Sequence, residues 1–196
     1  MVPFAGHSMP VQYTQGIRAE HLHTRAAAGL FDVSHMGQVV VQGRDCATAL
    51  ERVLPADLVD MPIGQQTYAL LTNDSGGIRD DLMVCRQDAH RFLLVVNADC
   101  KEADIAYLHS QLPGLSLDVL EDQALLAIQG PQAAAVLSRF SPDVARMKFM
   151  TGREVELAGS QGFVTRSGYT GEDGFEVSVP ASAAAAVARM LLEDSR

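Results

Sequence analysis

Residues 68–84 read Tyr-Ala-Leu-Leu-Thr-Asn-Asp-Ser-Gly-Gly-Ile-Arg-Asp-Asp-Leu-Met-Val, two apolar runs on either side of a turn-forming segment. The asparagine, aspartate, serine and glycines at 73–77 tolerate positive φ or form local side-chain turns. Apolar runs that flank such a segment are typical of two antiparallel strands joined by a short loop. The stretch therefore predicts a β-hairpin, and with it an antiparallel sheet.

Two adjacent carboxylates, Asp80 and Asp81, stand at the start of the second strand of this hairpin. Successive side chains of a strand point to opposite faces, so Asp81 shares a face with Met83, and Asp80 with Leu82. A buried carboxylate without partners is costly, so at least one of the two acids is expected to meet a cation, several donors or a ligand. The alternative is that both acids are solvated and cap the turn.

The composition bounds the class of protein. A chain of 196 residues with 47% hydrophobic and 20% charged residues can bury a core as one large or two small domains. The net charge of −9 and the lack of any run of Lys and Arg argue against nucleic acid as a partner. Neither a membrane span nor a signal peptide is predicted, because no apolar run approaches about 20 residues and Met1-Val-Pro-Phe-Ala-Gly lacks a basic flank.

The cysteines and histidines give no sign of a metal or hydrolytic centre. The three cysteines are an odd set without Cys-x-x-Cys spacing, which predicts neither disulfides nor zinc and favours a reducing compartment. His21 and His23 are two apart, so a helix would point them away from each other. Ser34 and His35 are adjacent in sequence and poorly placed as a nucleophile and base, so a tight hydrogen-bonded turn is predicted there.

The periodicity of apolar residues predicts a mixed α+β protein with antiparallel hairpins. Helices are predicted at 16–30, 45–54, 100–112, 131–140 and 181–193. Strands are predicted at 38–42, 67–72, 81–86, 92–96, 124–129, 154–157, 163–167 and 175–179. Asp99, followed three residues later by Glu102, is predicted to be a helix N-cap.

An internal repeat links two parts of the chain. Val40-Val-Gln-Gly43 and Ala127-Ile-Gln-Gly130 each lead into a helical pattern. Two copies of a strand, helix and hairpin unit explain this echo. Continuing the alignment sets Asp81 opposite Glu176, so we infer a single site with one acid from each copy.

A second candidate segment is the glycine-rich stretch 165–177, which joins two predicted strands. It lacks the spacing of a dinucleotide fingerprint or a phosphate loop. It offers an aromatic ring, Tyr169, and a carboxylate, Glu176, beside a backbone that a ligand can approach closely. A planar heterocycle could stack on the ring while its N–H groups donate to the acid. Tyr68 is either a second stacking platform or a buried structural tyrosine.

Five blocks of the sequence carry a resemblance to a known family and run in that family's order over almost the whole chain. They are Met1-Val-Pro-Phe-Ala-Gly with Met9-Pro10, Phe31-Asp-Val-Ser-His-Met-Gly37, Gly76-Gly-Ile-Arg-Asp-Asp-Leu82, Val95-Val-Asn-Ala98 and Arg166-Ser-Gly-Tyr-Thr-Gly-Glu-Asp-Gly-Phe-Glu176. Each block alone is suggestive, and together they are very specific. The chain resembles the aminomethyltransferase of the glycine cleavage system, the T-protein family.

The resemblance implies a folate-binding α+β region over residues 1–196, built from two related, interwoven units with antiparallel sheets and flanking helices. One unit is expected at about 38–120, and the other combines 1–37 with 121–196. The family reaction takes the aminomethyl group from the dihydrolipoyl arm of the lipoylated H-protein and transfers its one-carbon unit to tetrahydrofolate, with release of ammonia. No metal is implied.

Matching the blocks residue by residue, the resemblance implies that Asp81 is the catalytic carboxylate and Glu176 the acid that recognises the pterin. Residues at five further positions match those that line the folate pocket in the family: Met36, Tyr68, Val95, Asn97 and Tyr169. An anionic group at the reacting end suits this chemistry, because loss of ammonia from an S-aminomethyl group creates cationic character at carbon.

Family members continue past the last predicted helix into a Gly-Leu-Gly-Ala-Arg-Asp block and a C-terminal β-barrel, which this sequence lacks. We therefore expect a truncated piece that binds folate weakly or not at all and is inactive alone. Two alternatives stay open: a folate-binding domain of a related amine-oxidising or demethylating enzyme, and a non-enzymatic folate-binding module. The parent protein is expected in the bacterial cytoplasm, or in the mitochondrial matrix of a eukaryote.

Overall fold

The computed structural model describes residues 1–193 and confirms a mixed α+β fold with antiparallel sheets. Its strands, in chain order, are β1 (Val2–Phe4), β2 (His7–Met9), β3 (Gly29–Asp32), β4 (Gly37–Gln42), β5 (Gln66–Thr72), β6 (Ile78–Asp88), β7 (Arg91–Val96), β8 (Ser116–Val119), β9 (Gln123–Gln129), β10 (Gly152–Leu157), β11 (Ser160–Thr165) and β12 (Gly174–Pro180). Its helices are α1 (Ile17–Ala26), α2 (Cys46–Leu50), α3 (Lys101–Gln111), α4 (Ala133–Leu137) and α5 (Ala181–Glu193), with a 3₁₀ helix at Pro142–Arg146.

The chain divides into two compact units. The central unit is Met36–Glu121, and the flanking unit combines Met1–His35 with the chain from Asp122 onward. The flanking unit is therefore discontinuous in sequence, because the central unit is inserted into it.

The central unit is a five-stranded antiparallel sheet in the order β5-β6-β7-β4-β8. Alternate strand residues such as Leu71, Leu82 and Leu94 point to one face, where they pack with side chains of α2 and α3 in a buried cluster. Each buried side chain of this size stabilises the unit by about 1.5–3 kcal/mol. The predicted hairpin is confirmed as β5–β6, and Asn73 closes its turn by accepting a hydrogen bond from the Gly77 N–H at 2.9 Å.

The flanking unit has its own five-stranded antiparallel sheet, in the order β10-β11-β12-β9-β3, together with the small hairpin β1–β2. One face of this sheet packs on a second buried cluster, to which Ile128, Val164 and Phe175 contribute from the strands and Val136 and Val187 from α4 and α5. Each unit thus has a core of its own on one face of its sheet.

The strand orders of the two sheets correspond and correct the sequence alignment. Strands β5, β6, β7 and β4 of the central unit match β10, β11, β12 and β9 of the flanking unit. The predicted equivalence of Asp81 and Glu176 is wrong, because Asp81 lies on β6 whereas Glu176 lies on β12, the counterpart of β7. The register of the strand pairs gives the true counterpart of Glu176. Gln42 of β4 pairs with Arg91, and the matching Gln129 of β9 pairs with Gly174. Two residues further along each strand, Glu176 therefore corresponds to Leu93.

The other differences from the predicted elements are at short or terminal segments. Residues 29–30, predicted as the end of the first helix, belong to β3, where pairing with β9 overrides their helical pattern. Strands β1, β2 and β8 were not predicted, and α2 and α4 are shorter than expected. The N-cap of α3 is Cys100 instead of the predicted Asp99, and no side chain caps that helix. None of the helices within residues 1–193 is long and apolar enough to cross a membrane.

Candidate functional site

In the central unit, the predicted site residues Tyr68, Asp81 and Val95 lie on the sheet face opposite the core. Tyr68 of β5 and Val95 of β7 are in one row, with Met83 of β6 between them. Asp81 is in the adjacent row, directly opposite Leu70. Directly paired residues point to the same face of a sheet. Asp81 is exposed and Tyr68 is 49% exposed, so Tyr68 is not a buried structural tyrosine. The face offers a carboxylate and an aromatic ring along one hairpin.

Asp80 lies on the other face of β6 and is held by Asn97. The Asn97 Nδ2 group donates to Asp80 Oδ1 at 3.0 Å and to the Asp81 carbonyl oxygen at 2.9 Å. This side chain therefore ties the start of β6 to the end of β7, next to the pair formed by Leu82 and Val96. Asn97 was predicted to line the folate pocket, and its amide nitrogen fixes the backbone that carries Asp81.

Asp104 of α3 adds a second buried carboxyl beside Asp80. Asp104 is only 2% exposed. Burial first, and then a hydrogen bond to Asp80 and the charge of Asp80, raise the pKa of Asp104 to about 7. Met36, the remaining predicted residue of this unit, is partly buried and immediately precedes β4, whose first residue Gly37 pairs with Val96.

In the flanking unit, Glu176 is a buried acid on the sheet face opposite the core. It pairs directly with Thr165 of β11 and is only 9% exposed. The Ser167 hydroxyl donates to Glu176 Oε2 at 2.7 Å, and the Ser167 and Thr165 hydroxyls are 3.0 Å apart. Burial raises the pKa of Glu176, and the hydrogen bond from Ser167 opposes that rise. The carboxylate is therefore suited to a ligand that brings further N–H donors.

The loop between β11 and β12, residues 166–173, carries Tyr169 and is closed at its base by an ion pair. Arg166 Nε and Nη2 donate to the two Asp173 carboxylate oxygens at 2.9 and 2.5 Å. This bidentate contact holds the pKa of the Asp173 carboxyl below its usual value. On the outside of the loop, Arg25 donates to the Thr170 carbonyl oxygen and forms a 3.0 Å ion pair with Glu172. The Tyr169 ring is thus presented, 61% exposed, on a braced loop.

Gln129 of β9 braces the same loop from inside. Its Nε2 group donates to the Ser167 carbonyl oxygen at 2.9 Å, and its Oε1 atom accepts from the Thr170 hydroxyl at 3.1 Å. A Cβ atom at Gly168 or Gly174 would collide with the amide group of Gln129. A side chain at position 168 or 174 would therefore force the buried Gln129 to move, and glycine at both positions permits its close approach.

The remaining candidates do not form a further centre. The predicted turn at Ser34 is confirmed, since the Ser34 N–H donates to Asp32 Oδ1 and its hydroxyl accepts from the Leu125 N–H, both at 3.0 Å. His35 packs edge-on against the rings of Phe4 and His7. Within residues 1–193 no group of three or more His, Cys, Asp or Glu side chains is arranged to hold a metal ion.

Sequence reasoning missed Gln129, Ser167 and Asp104. Gln129 stands in the repeated Gln-Gly pair, and Ser167 stands inside a block that had already been singled out. Asp104 had a detectable signal, because it is four residues before Leu108 and so shares the buried face of α3. In all three, the sequence signal was present but did not specify a role.

Comparisons with known proteins agree on one family. The model of the GCVT N-terminal domain family matches residues 1–196. Among relatives, the chain is 43% identical over 206 residues to the mitochondrial aminomethyltransferase of Dictyostelium discoideum, covering 100% of this chain and 51% of that protein. It is 42% identical over 203 residues to the mitochondrial aminomethyltransferase of Homo sapiens, covering 99% of this chain and 50% of that protein. The chain thus spans about half the length of the curated relatives it matches.

Two solved structures have a similar fold. The glycine cleavage system aminomethyltransferase T of Bartonella henselae superposes with a TM-score of 0.93 and 46% identity, over 99% of this chain and 53% of that one. The heterotetrameric sarcosine oxidase of Corynebacterium sp. U-96, in complex with pyrrole 2-carboxylate, superposes with a TM-score of 0.63 and 19% identity, over 90% of this chain and 89% of that one. The second likeness is one of fold alone.

Proposed function

This chain belongs to the GCVT N-terminal domain family, and we propose that it is the tetrahydrofolate-binding part of an aminomethyltransferase of the glycine cleavage system. The observation that carries the proposal is likeness over the whole chain to proteins of that activity, at 43% identity in sequence and a TM-score of 0.93 in structure. The reaction would move a one-carbon unit from the aminomethyl-dihydrolipoyl arm of an H-protein to tetrahydrofolate and release ammonia.

Asp81 is the proposed catalytic carboxylate. It is an exposed acid whose backbone is fixed by Asn97, which supports a role at a defined position facing a substrate. Loss of ammonia from the S-aminomethyl group places positive charge on carbon, and a carboxylate held nearby stabilises that charge and orients the attacking N5 atom of folate. The proposal thus assigns Asp81 to the reacting end.

Glu176 is the proposed pterin-recognising acid. Its burial and its hydrogen bond from Ser167 favour a ligand that presents several N–H donors in one plane, as the amino and ring N–H groups of a pterin do. Tyr169 and Tyr68 are exposed rings able to stack on a planar ligand. Met36, Val95 and Asn97 complete the proposed folate-contacting set, with Asn97 acting mainly through Asp80 and Asp81.

The proposed partner is a lipoylated H-protein. The proposed compartment depends on whether the parent protein is eukaryotic or bacterial. The eukaryotic relatives named above are mitochondrial, so the mitochondrial matrix is proposed for a eukaryotic parent protein and the cytoplasm for a bacterial one.

The test is an assay of the protein that contains this chain, with tetrahydrofolate and an H-protein loaded with the aminomethyl group. We expect ammonia and methylene-tetrahydrofolate to be released in equal amounts, and no methylene-tetrahydrofolate without loaded H-protein. Absence of both products from a folded preparation would overturn the proposal. Oxidation of a methylated amine by the same preparation would instead favour the amine-oxidising alternative.

A further inference from the structure

Two carboxyl groups that the proposed chemistry does not use meet at the start of β6: that of Asp80 in the strand itself and that of Asp104 in α3. Asp80 Oδ2 and Asp104 Oδ2 are both buried, and within residues 1–193 neither accepts a hydrogen bond from an N–H or O–H donor. Asp80 Oδ1, by contrast, is occupied by the Asn97 amide at 3.0 Å. The unsatisfied oxygen of each carboxyl is therefore the one available to the other.

A single proton shared between the two carboxyl groups would satisfy both oxygens. Two ionised carboxylates side by side and out of water repel each other, and the usual resolution is that one of the pair keeps its proton. Arg79, whose guanidinium stacks on the Tyr107 ring at 4.2 Å, lowers the pKa of Asp104 by less than burial and Asp80 raise it. The other charged or titratable groups at the start of α3 are Lys101, a second cation, and Cys100, whose thiol is hydrogen-bonded to Asp80.

We propose that Asp104 is a positioning residue for Asp81: a proton shared by the Asp104 and Asp80 carboxyls holds Asp80 against the Asn97 amide, and Asn97 thereby fixes the backbone at Asp81. Asn97 bonds Asp80 and the Asp81 carbonyl with the same nitrogen, so a displaced Asp80 displaces the support of Asp81. The effect on turnover rests on the proposed function of Asp81, whereas the shared proton does not.

The arrangement makes the support sensitive to pH near neutrality. Because the pKa of Asp104 is about 7 in the folded protein against 3.8 as an ordinary reference, the folded state holds the proton more tightly than the unfolded state between these values. The contribution of protonated Asp104 to stability is therefore fully present below about pH 4 and is lost as the pH rises through about 7. Turnover is expected to fall over the upper end of the same window as Asp104 ionises.

The test compares Asp104→Asn and Asp104→Leu with Glu102→Gln, which changes an exposed acid on the same helix. Asp104→Asn keeps a permanent donor to Asp80 and does not titrate. The stability of this variant, measured by urea midpoints, should therefore fall less between pH 5 and pH 8 than the stability of the wild type. Relative to the wild type, its turnover should be similar at pH 6 and higher at pH 8. Asp104→Leu should lose turnover by between about 10- and 100-fold at both pH values, because a reacting group misplaced by an ångström costs that much, with the KM for folate little changed.

The outcomes separate the two proposals. If the wild type transfers no aminomethyl group, the proposed function fails, and the pH dependence of stability still decides whether a proton is shared. If the wild type is active but Asp104→Asn follows the same pH profiles as Glu102→Gln, the positioning role is wrong. Should Asp104→Leu not fold, the comparison of Asp104→Asn with Glu102→Gln decides alone.

Discussion

The central and flanking units share a strand order but extend different hairpins. The central unit lengthens the β5–β6 connection into a five-residue turn at 73–77, and β6 and β7 are joined by two residues. The flanking unit does the reverse: two residues join β10 and β11, while the β11–β12 loop at 166–173 carries Tyr169. The candidate acids differ accordingly, since Asp81 is exposed and Glu176 is buried with a hydroxyl donor. Two units with the same strand order thus carry carboxylates that differ in burial and in hydrogen bonding.

The repeated glutamine shows the same divergence at one position. Gln129 at the end of β9 is buried and bonded to the loop that carries Tyr169. Its counterpart Gln42 at the end of β4 is exposed, and its side chain accepts a 3.4 Å hydrogen bond from Arg91. One copy of the Gln-Gly pair organises a loop, and the other copy only ends a strand.

The sharpest test of the difference between the acids is Asp81→Asn in the protein that contains this chain. Turnover at saturating folate should fall by about 10²–10³-fold, the cost of removing a group that stabilises transition-state charge. Folate affinity, measured by calorimetry, should change little. Asp74→Asn, an exposed acid in the turn of the same hairpin, is the matched control. An unchanged turnover in Asp81→Asn would remove this residue from the mechanism.

The divergence of the repeated glutamines can be tested by leucine substitution in each unit. Gln129→Leu leaves the buried Ser167 carbonyl and its neighbours without donors, and the unfolding free energy should fall by about 2–4 kcal/mol. Gln42→Leu should change it by no more than about 0.5 kcal/mol, as at most exposed positions. Urea denaturation gives both values. Equal losses in the two variants would contradict the distinct roles of the glutamines.

Glu176→Gln addresses recognition rather than turnover. The dissociation constant for tetrahydrofolate should rise by about 10- to 100-fold, because charge-assisted hydrogen bonds contribute about 1.5–3 kcal/mol. Turnover at saturating folate should fall much less than in Asp81→Asn. Glu156→Gln, an exposed acid on β10 of the same sheet, controls for the change in net charge. If both acids affected turnover and affinity alike, the division of labour between them would be lost.

The smallest effect is expected from the outer brace of the Tyr169 loop. The side chains of Arg25 and Glu172 are 40% and 23% exposed, so their ion pair is screened and contributes at most about 1 kcal/mol. Arg25→Ala should therefore weaken folate binding by no more than about fivefold, and the difference should shrink in high salt. Arg153→Ala, which breaks the more exposed pair with Asp143, should have no effect on folate binding. A larger loss in Arg25→Ala would mean that Gln129 does not hold the loop by itself.

Local patterns predicted the elements that local chemistry determines. The β5–β6 hairpin follows from its turn residues, and α5 begins where its periodicity indicated, at Ala181. Residues 29–30 of β3 were assigned to the first helix because they continue its apolar spacing, and only pairing with β9, nearly 100 residues later, makes them part of a strand. Such long-range pairing has no signature in a local window.

The candidate site was predictable to the level of residue types but not of contacts. The sequence patterns pointed to the Asp80–Asp81 pair and to Tyr169 and Glu176, and the family resemblance chose Asp81 from the pair. They did not indicate that Gln129 enters the loop, since a glutamine at a strand end has no preferred partner. The equivalence of Asp81 with Glu176 was wrong for a related reason: short glycine-containing motifs can be aligned one strand out of register.

The contact of Gln129 with Gly168 and Gly174 also orders the assembly of the flanking unit. The glutamine reaches carbonyl groups 38 and 46 residues away in sequence, those of Ser167 and Phe175. These bonds exist only after β9 and β12 have paired, and contacts of such sequence separation form late because loop closure must come first. The segment that presents Tyr169 is therefore expected to acquire protection from hydrogen exchange after the sheet beneath it, as the last part of its unit to mature.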